Sequence, residues 1–250
     1  MNLVNPIISG CLAVAAFGGI VAAVFSAAPR DREVVSYATS LEGRTFSQRH
    51  NARMAARALD GAVVGPGEAF SFNRRVGSLS RDRGYRKAPV SFNGQLIDDW
   101  GGGVCQTSTT LYNAALLSGM KILERNHHHF CPSYVPPGRD AAVAYPSIDL
   151  RFKNPYAFPI RVHAAVDEEK IEVAFYANAP LPAKPEVVAE VERSETPATF
   201  YLGDPSNRAR VRNSGRAGYD VTVYRITGNR KEIVSTDEYP VMNRVIEFRP

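Results

Sequence analysis

Three consecutive glycines, Gly101-Gly102-Gly103, lead into Val104-Cys105-Gln106, and the residues that follow, up to Gly119, have the spacing of a helix of roughly four turns. Cys105 falls in its first turn, where unpaired backbone N–H groups and the positive end of the helix dipole favour the thiolate, the nucleophilic form of cysteine. An imidazole can come from the run His127-His128-His129 and a carboxylate from Asp140 or Asp149. A thiol paired with an imidazole, itself oriented by a carboxylate, is the equipment for acyl transfer through a thioester. The backbone N–H of Gln106, with Gly103 just ahead of the sulfur, is a candidate for holding the oxyanion. The plainer account makes Cys105 a small buried apolar residue, as free cysteine often is.

Those groups meet only if the elements carrying them are correctly disposed. Leu111, Ala114, Ala115 and Leu117 share one face of the helix, and Gly119 is placed to end it. The stretch 127–131 reads as a strand, whose period of two puts His128 and Phe130 on one face and His127, His129 and Cys131 on the other. Aiming His128 at Cys105 then turns Cys131 away, which argues against a disulfide between the two cysteines. Ile148, Leu150 and Phe152 share a strand face and leave Asp149 on the opposite one, so Asp149 is the expected orienter of His128. Asp140, in the turn Pro136-Pro137-Gly138-Arg139-Asp140, is the less constrained competitor and is also a candidate to help bind substrate.

Upstream, Thr45 or Ser47 can cap a helix that Gly61 ends, and 88–97 reads as a hairpin around Asn93-Gly94. Downstream, 159–166 with 171–177 and 219–226 with 231–235 read as antiparallel hairpins, and 244–248 as a last strand. Pro180, Pro182, Pro185 and Pro197 mark 179–200 as a linker or a peripheral excursion. The implied organisation is a membrane anchor or signal over 1–30, a domain over 36–178, the Pro-rich linker 179–200 and a β extension over 201–250. The fold class is α+β, a helix with antiparallel sheet.

Hydrophobic residues make up 44% and charged residues 22% of the 250, the balance of a globular chain large enough to bury a core without staples. The net charge of +5 favours anionic surroundings, whether nucleic acid, acidic lipid or an anionic envelope polymer. The basic strip Arg208, Arg210, Arg212 and Arg216 has few interleaved aromatics, which argues against nucleic acid, and phosphate loops and dinucleotide fingerprints are absent. Residues 3–28 carry no charge and are long enough to cross a bilayer as one helix. The basic start of a secretory signal is missing and Ser26-Ala27-Ala28 is a loose cleavage site, so an uncleaved single-pass anchor is expected. Arg30 and Arg32 point to a cytoplasmic body, but Asp31 and Glu33 dilute the bias.

Several motifs carry a family likeness. Pro66-Gly67-Glu68-Ala69-Phe70-Ser71-Phe72-Asn73 with Val76-Gly77, Gly84-Tyr85 with Ala88, residues 101–111, Glu124-Arg125 with His128, Tyr134-Val135-Pro136-Pro137-Gly138 with Asp140-Ala141, and Asp149-Leu150 with Phe152 and Asn154 resemble the VanW family. The resemblance implies a bacterial envelope protein with an extracytoplasmic domain on a membrane anchor, in a family named after a glycopeptide-resistance gene cluster. It carries the family's cysteine onto Cys105, its histidine onto His128 and its acidic positions onto Asp140 and Asp149. His129 and Cys131 depart from the small or apolar residues usual there. The order of cysteine on a helix, then histidine, then aspartate on following strands also resembles transglutaminase-like and papain-like thiol folds.

Two functions are in contention. A thiol enzyme would hydrolyse or transfer an amide or acyl bond of a cell-wall peptide, with Cys105 as nucleophile, His128 as base and Asp149 as orienter, and with no cofactor or metal. A non-catalytic envelope module would instead grip peptidoglycan or an anionic wall polymer through its basic loops, leaving 101–105 a close-packed turn. A zinc site from His127, His129 and Cys131 matches no common ligand spacing.

Overall fold

The computed structural model describes residues 31–92 and 95–249. The anchor or signal expected over 1–30 lies outside them, and no helix among the described residues is long and apolar enough to cross a membrane.

The described chain opens on β1 (Arg32–Ser40) and α1 (Phe46–Leu59). Thr45 caps α1 in a reciprocal box: its hydroxyl accepts from Gln48 N at 3.2 Å, and Gln48 Oε1 accepts from Thr45 N at 3.0 Å. Short elements follow, β2 (Val63–Val64), β3 (Ala69–Ser71) and α2 (Phe72–Val76), then the pair β4 (Lys87–Phe92) and β5 (Gln95–Trp100). Phe92 opposes Gln95, the register of a two-residue hairpin. Next come α3 (Val104–Leu117) and β6 (Lys121–Glu124), a long irregular stretch, and β7 (Arg151–Lys153), β8 (Ile160–Val166) and β9 (Lys170–Ala177). The remainder is strand: β10 (Glu186–Glu195), β11 (Thr199–Leu202), β12 (Arg208–Asn213), β13 (Gly218–Thr227), β14 (Arg230–Tyr239) and β15 (Arg244–Arg249).

β1, β9, β8 and β2 form an antiparallel sheet in that order, and α3 packs against β1, β9 and α1. Leu111, Leu116, Val162, Phe152 and Phe175 meet in the core between them. Burial of each such side chain contributes about 1.5–3 kcal/mol, enough to fix where α3 lies. The strands of β3-β7-β6 extend this core through Phe70 stacked on Phe152, ring centroids 4.9 Å apart. Two three-stranded sheets, β10-β13-β14 and β11-β15-β12, make up the C-terminal part, where β11 with β15 is the parallel exception among the described pairs.

The α+β class with antiparallel sheet is therefore seen, but two local expectations change. The stretch 179–200, expected as a linker or peripheral excursion, contains β10, which pairs with β13, Val187 opposite Arg225. Residues 127–131 form no strand. A transglutaminase-like architecture finds no support: His128, Asp140 and Asp149 all lie in irregular segments rather than on successive strands.

Candidate active site

The glycines that precede Cys105 are packed where no side chain fits. A Cβ on Gly102 would lie 2.8 Å from the carbonyl oxygens of Ala88 and Pro89, and one on Gly103 would lie 2.4 Å from the Gln48 carbonyl oxygen. Gly103 also has φ 105°, a left-handed conformation open chiefly to glycine. α3 thus starts wedged between β4 and α1. Two α1 side chains brace the wedge: Gln48 Nε2 donates to the Pro89 carbonyl at 2.9 Å, and Asn51 Nδ2 donates to the Gly102 carbonyl at 2.9 Å. Cys105, partly exposed, is held at the end of this brace.

Sequence spacing gives α3 one buried face; the folded chain buries it on nearly every side, polar residues included. Those polar groups are satisfied by the loop that crosses over them, as buried donors and acceptors must be. Ser108 Oγ donates to the Ala141 carbonyl (2.6 Å) and Thr109 Oγ1 accepts from Ala141 N–H (3.0 Å). Asn113 Nδ2 donates to the Arg139 carbonyl (2.7 Å), while its Oδ1 accepts from Arg139 Nε (2.6 Å). The residue clamped between Arg139 and Ala141 is Asp140.

Asp140 is 0% exposed. Its Oδ2 accepts from the His128 backbone N–H at 2.7 Å and lies 2.6 Å from His128 Nδ1. Its Oδ1 accepts from Tyr239 OH at 2.5 Å and from Arg125 Nη2 at 3.0 Å, and its own carbonyl accepts from Arg125 Nε at 2.6 Å. Arg125 Nη1 in turn reaches both oxygens of Asp237, at 2.5 and 2.6 Å. Since Asp237 and Tyr239 belong to β14, the C-terminal sheet supplies the back wall of the site. Tyr239 OH also accepts from the Gly138 N–H at 3.2 Å. Tyr239→Phe is accordingly expected to cost about 1–3 kcal/mol, the penalty for leaving buried partners unsatisfied. Urea unfolding of the two proteins measures it, and an unchanged midpoint would contradict this placement.

With Nδ1 taken by Asp140, Nε2 is the nitrogen left for the sulfur. Burial pushes the Cys105 thiol up, but the hydrogen bond to His128 and the charge of that ring outweigh it and hold the thiol below its ordinary value. Burial pulls His128 down, yet hydrogen bonds to Asp140 and Cys105, with their charges, raise it to about 10. Asp140 is raised by burial and lowered more by its hydrogen bond to His128, the His128 charge and Arg125, ending at about 2. Both shifts run in the direction of a thiolate–imidazolium pair standing on a buried carboxylate, and Cys105 Sγ also lies 3.4 Å from the Val143 carbonyl oxygen. The raised His128 contributes stability in full below its unfolded value of about 6.5 and loses it as pH rises through about 10. The depressed Asp140 contributes above its unfolded value of about 3.9 and loses it as pH falls through about 2. Both contributions are complete together only between about pH 4 and 6.5.

The site corrects several sequence expectations. Asp149 does not orient His128. Its Oδ2 accepts from Ser71 Oγ at 2.5 Å and its Oδ1 from Asn73 N and Leu150 N, each at 2.8 Å, so it anchors the start of α2. Asp140 is the orienter, and its full burial removes it from substrate binding. The Gln106 N–H is committed to the Gly103 carbonyl at 3.2 Å. The Gln106 side chain reaches β1, donating to the Ser40 carbonyl at 2.7 Å, so Gln106 is a packing residue rather than an oxyanion donor. His127 packs edge-on to Tyr239 and His129 to Phe130, and among the described residues no group of three or more His, Cys, Asp or Glu is arranged to hold a metal ion. Cys105 and Cys131 are both free thiols; Cys131 is buried beside Val221 and Tyr239, and burial pushes it up to about 12. Arg125, Asp237 and Tyr239 escaped the sequence reading as site residues. The available signal was the position of Asp237 and Tyr239 two apart on one strand, hence on one face.

A cavity of about 210 Å³ opens over the sulfur, lined by Cys105, His128, Gly103, Tyr134, Arg44 and Arg216 among others. That is room for a short length of substrate rather than a folded partner.

The family model described as VanW like protein matches residues 47–176. The uncharacterized protein YoaR of Bacillus subtilis is 42% identical over 133 residues, 53% of this chain and 44% of that protein. The vancomycin B-type resistance protein VanW of Enterococcus faecalis is 32% identical over 134 residues, 51% of this chain and 48% of that protein. The chain thus spans less than half the length of these curated relatives. Among solved structures, the crystal structure of HP0197-G5 aligns with 27% of this chain and 95% of its own, at 19% identity and a TM-score of 0.16.

Proposed function

The chain belongs to the VanW-like family, and from that premise we propose that it is a thiol-dependent acyl hydrolase or acyltransferase acting on an amide bond of a cell-wall peptide. Cys105 is the nucleophile, His128 the proton carrier and Asp140 the group that orients and charges His128. The observation that carries this reading is that Cys105 and His128 line one cavity while His128 Nδ1 lies 2.6 Å from the fully buried Asp140 carboxylate.

The Cys105 thiolate adds to the amide carbonyl carbon, and the carbonyl electrons move onto oxygen. The Cys105 backbone N–H, in the first turn of α3, is the candidate to hold this developing charge. Collapse of the intermediate breaks the C–N bond as the His128 imidazolium gives its proton to the leaving nitrogen, leaving a thioester and neutral His128. Neutral His128 then takes a proton from water or from an acceptor amine as that group attacks the thioester, and the thiolate leaves. The ion pair is restored. Asp140 keeps Nδ1 protonated throughout, so Nε2 is always the nitrogen that exchanges protons with the reactants.

Two things support the substrate class: the relative named for vancomycin resistance, and the family likeness, which implies a domain outside the cell membrane on an anchor that the uncharged run over 3–28 is long enough to form. The test is incubation of the protein with a mixture of cell-wall peptides, acid quenching and intact-mass measurement. An acyl adduct on Cys105, lost in Cys105→Ala together with turnover, is the expected result. Equal processing by a folded Cys105→Ala, as judged by urea unfolding, would remove Cys105 as the nucleophile, and no adduct and no turnover in the wild type would replace the enzyme with a binding module.

A further inference from the structure

Arg44 and Arg216 line the same cavity as Cys105, and no Asp or Glu is among the described residues that line it. Arg44 Nε is fixed by Gln106 Oε1 at 2.8 Å, and its Cζ lies over the Tyr134 ring, 4.9 Å from the centroid. Its terminal nitrogens remain for another partner. Arg216 sits ahead of β13 on a segment pinned to Met242 by two backbone hydrogen bonds, of 2.8 and 2.9 Å. The two guanidinium groups are close enough for the charge of Arg216 to disfavour that of Arg44, on top of the penalty Arg44 bears for being partly buried. The neighbouring thiolate and imidazolium cancel each other. Two half-buried cations are therefore left uncompensated next to a nucleophile, an arrangement that an anion would relieve.

We propose that Arg44 and Arg216 bind a carboxylate of the substrate, so that the acyl compounds attacked by Cys105 are those carrying a free carboxylate close to the scissile bond. The planar fork of a guanidinium matches a carboxylate in shape and charge. Holding that group beside α3 would set the reacting carbonyl against the sulfur, the gain that substrate-positioning arginines supply. This inference rests on Cys105 being the reactive thiolate, and its test separates the two ideas.

The probe is a pair of alkylating reagents of similar size, iodoacetate (anionic) and iodoacetamide (neutral). Their rate constants at Cys105 are measured in wild type, Arg44→Gln, Arg44→Lys and Arg216→Gln, each divided by the same reagent's rate with glutathione. The expected normalised preference for iodoacetate is about tenfold in wild type, falling about threefold in each Gln variant and more in the double variant, as loss of a nearby charge dictates. Arg44→Lys keeps most of it, which excludes a packing effect, and added salt weakens it. Rapid iodoacetamide labelling with no such preference, or with a preference untouched by either Gln substitution, overturns the carboxylate assignment and leaves the thiolate standing. Slow labelling by both reagents overturns the thiolate and this inference with it. Protection of Cys105 from iodoacetamide by N-acetyl-Ala-Ala assigns a chain-terminal carboxylate, and protection by N-acetyl-Glu amide a side-chain one. Equal protection by the neutral N-acetyl-Ala-Ala amide, or protection by neither acid, overturns it.

Discussion

Asp140→Asn reduces the neutral-pH alkylation rate of Cys105 by about 10²–10⁴-fold and destabilises the fold by about 3–5 kcal/mol. Both effects have one origin. The carboxylate is 0% exposed and accepts from the His128 backbone N–H and Tyr239 OH as well as pairing with His128 Nδ1 and Arg125 Nη2. An amide of the same shape offers no charge to hold His128 protonated, and its NH₂ group must face at least one donor. Arg125 keeps Asp237 but loses half of its compensation, in a site where its own side chain is 5% exposed. Iodoacetamide kinetics and guanidinium unfolding on the same preparation separate the reactivity loss from the stability loss. A full-speed, fully stable Asp140→Asn would mean that the carboxylate is neither the orienter nor the pin. Asp149→Asn provides the contrast: it loosens the start of α2 and leaves the reactivity of Cys105 in place.

Gly103→Ala is expected to cost roughly 3–6 kcal/mol, comparable to the whole net stability of many domains. The new Cβ would sit 2.4 Å from a backbone oxygen of α1, and an L-residue at φ 105° is strained whatever the space. Gly43→Ala is the control for strain without a clash, because φ there is 71° and nothing lies within 4 Å of a Cβ. Its cost should be only about 1–2 kcal/mol. Thermal or denaturant unfolding of the two variants compares them directly, and similar losses would show that the close approach of α3 to α1 is not what positions the cysteine.

The sequence made visible those features that depend on local rules. Thr45 or Ser47 announced the start of α1, the glycines and Gly119 bracketed α3, and alternation exposed β8 with β9 and β13 with β14. Cys105 and His128 were legible as well, from residue type, position at a helix start and family likeness. Asp140 was passed over for a physical reason. A turn residue looks unconstrained in one dimension, whereas Ser108, Thr109 and Asn113 of α3 hold its neighbours Arg139 and Ala141, and Arg125 and Tyr239 hold its carboxylate. Three of those five partners are polar helix residues whose burial no amphipathic pattern reveals. The last, Tyr239, lies about a hundred residues along the chain, where only the fold brings it near. β10 was missed because prolines at 180, 182, 185 and 197 surround it, and proline flanking a strand reads the same as proline in a linker.

The proposed enzyme turns on the protonation state of one sulfur. The pH dependence of Cys105 alkylation by iodoacetamide, followed by mass spectrometry at that cysteine, measures it. The account requires a rate already high at neutral pH, rising with a midpoint well below the ordinary thiol value of about 8.5, with a second inflection as His128 loses its proton near 10. A single rise centred at or above 8.5, as for an isolated thiol, would contradict the thiolate–imidazolium pair and the enzyme built on it.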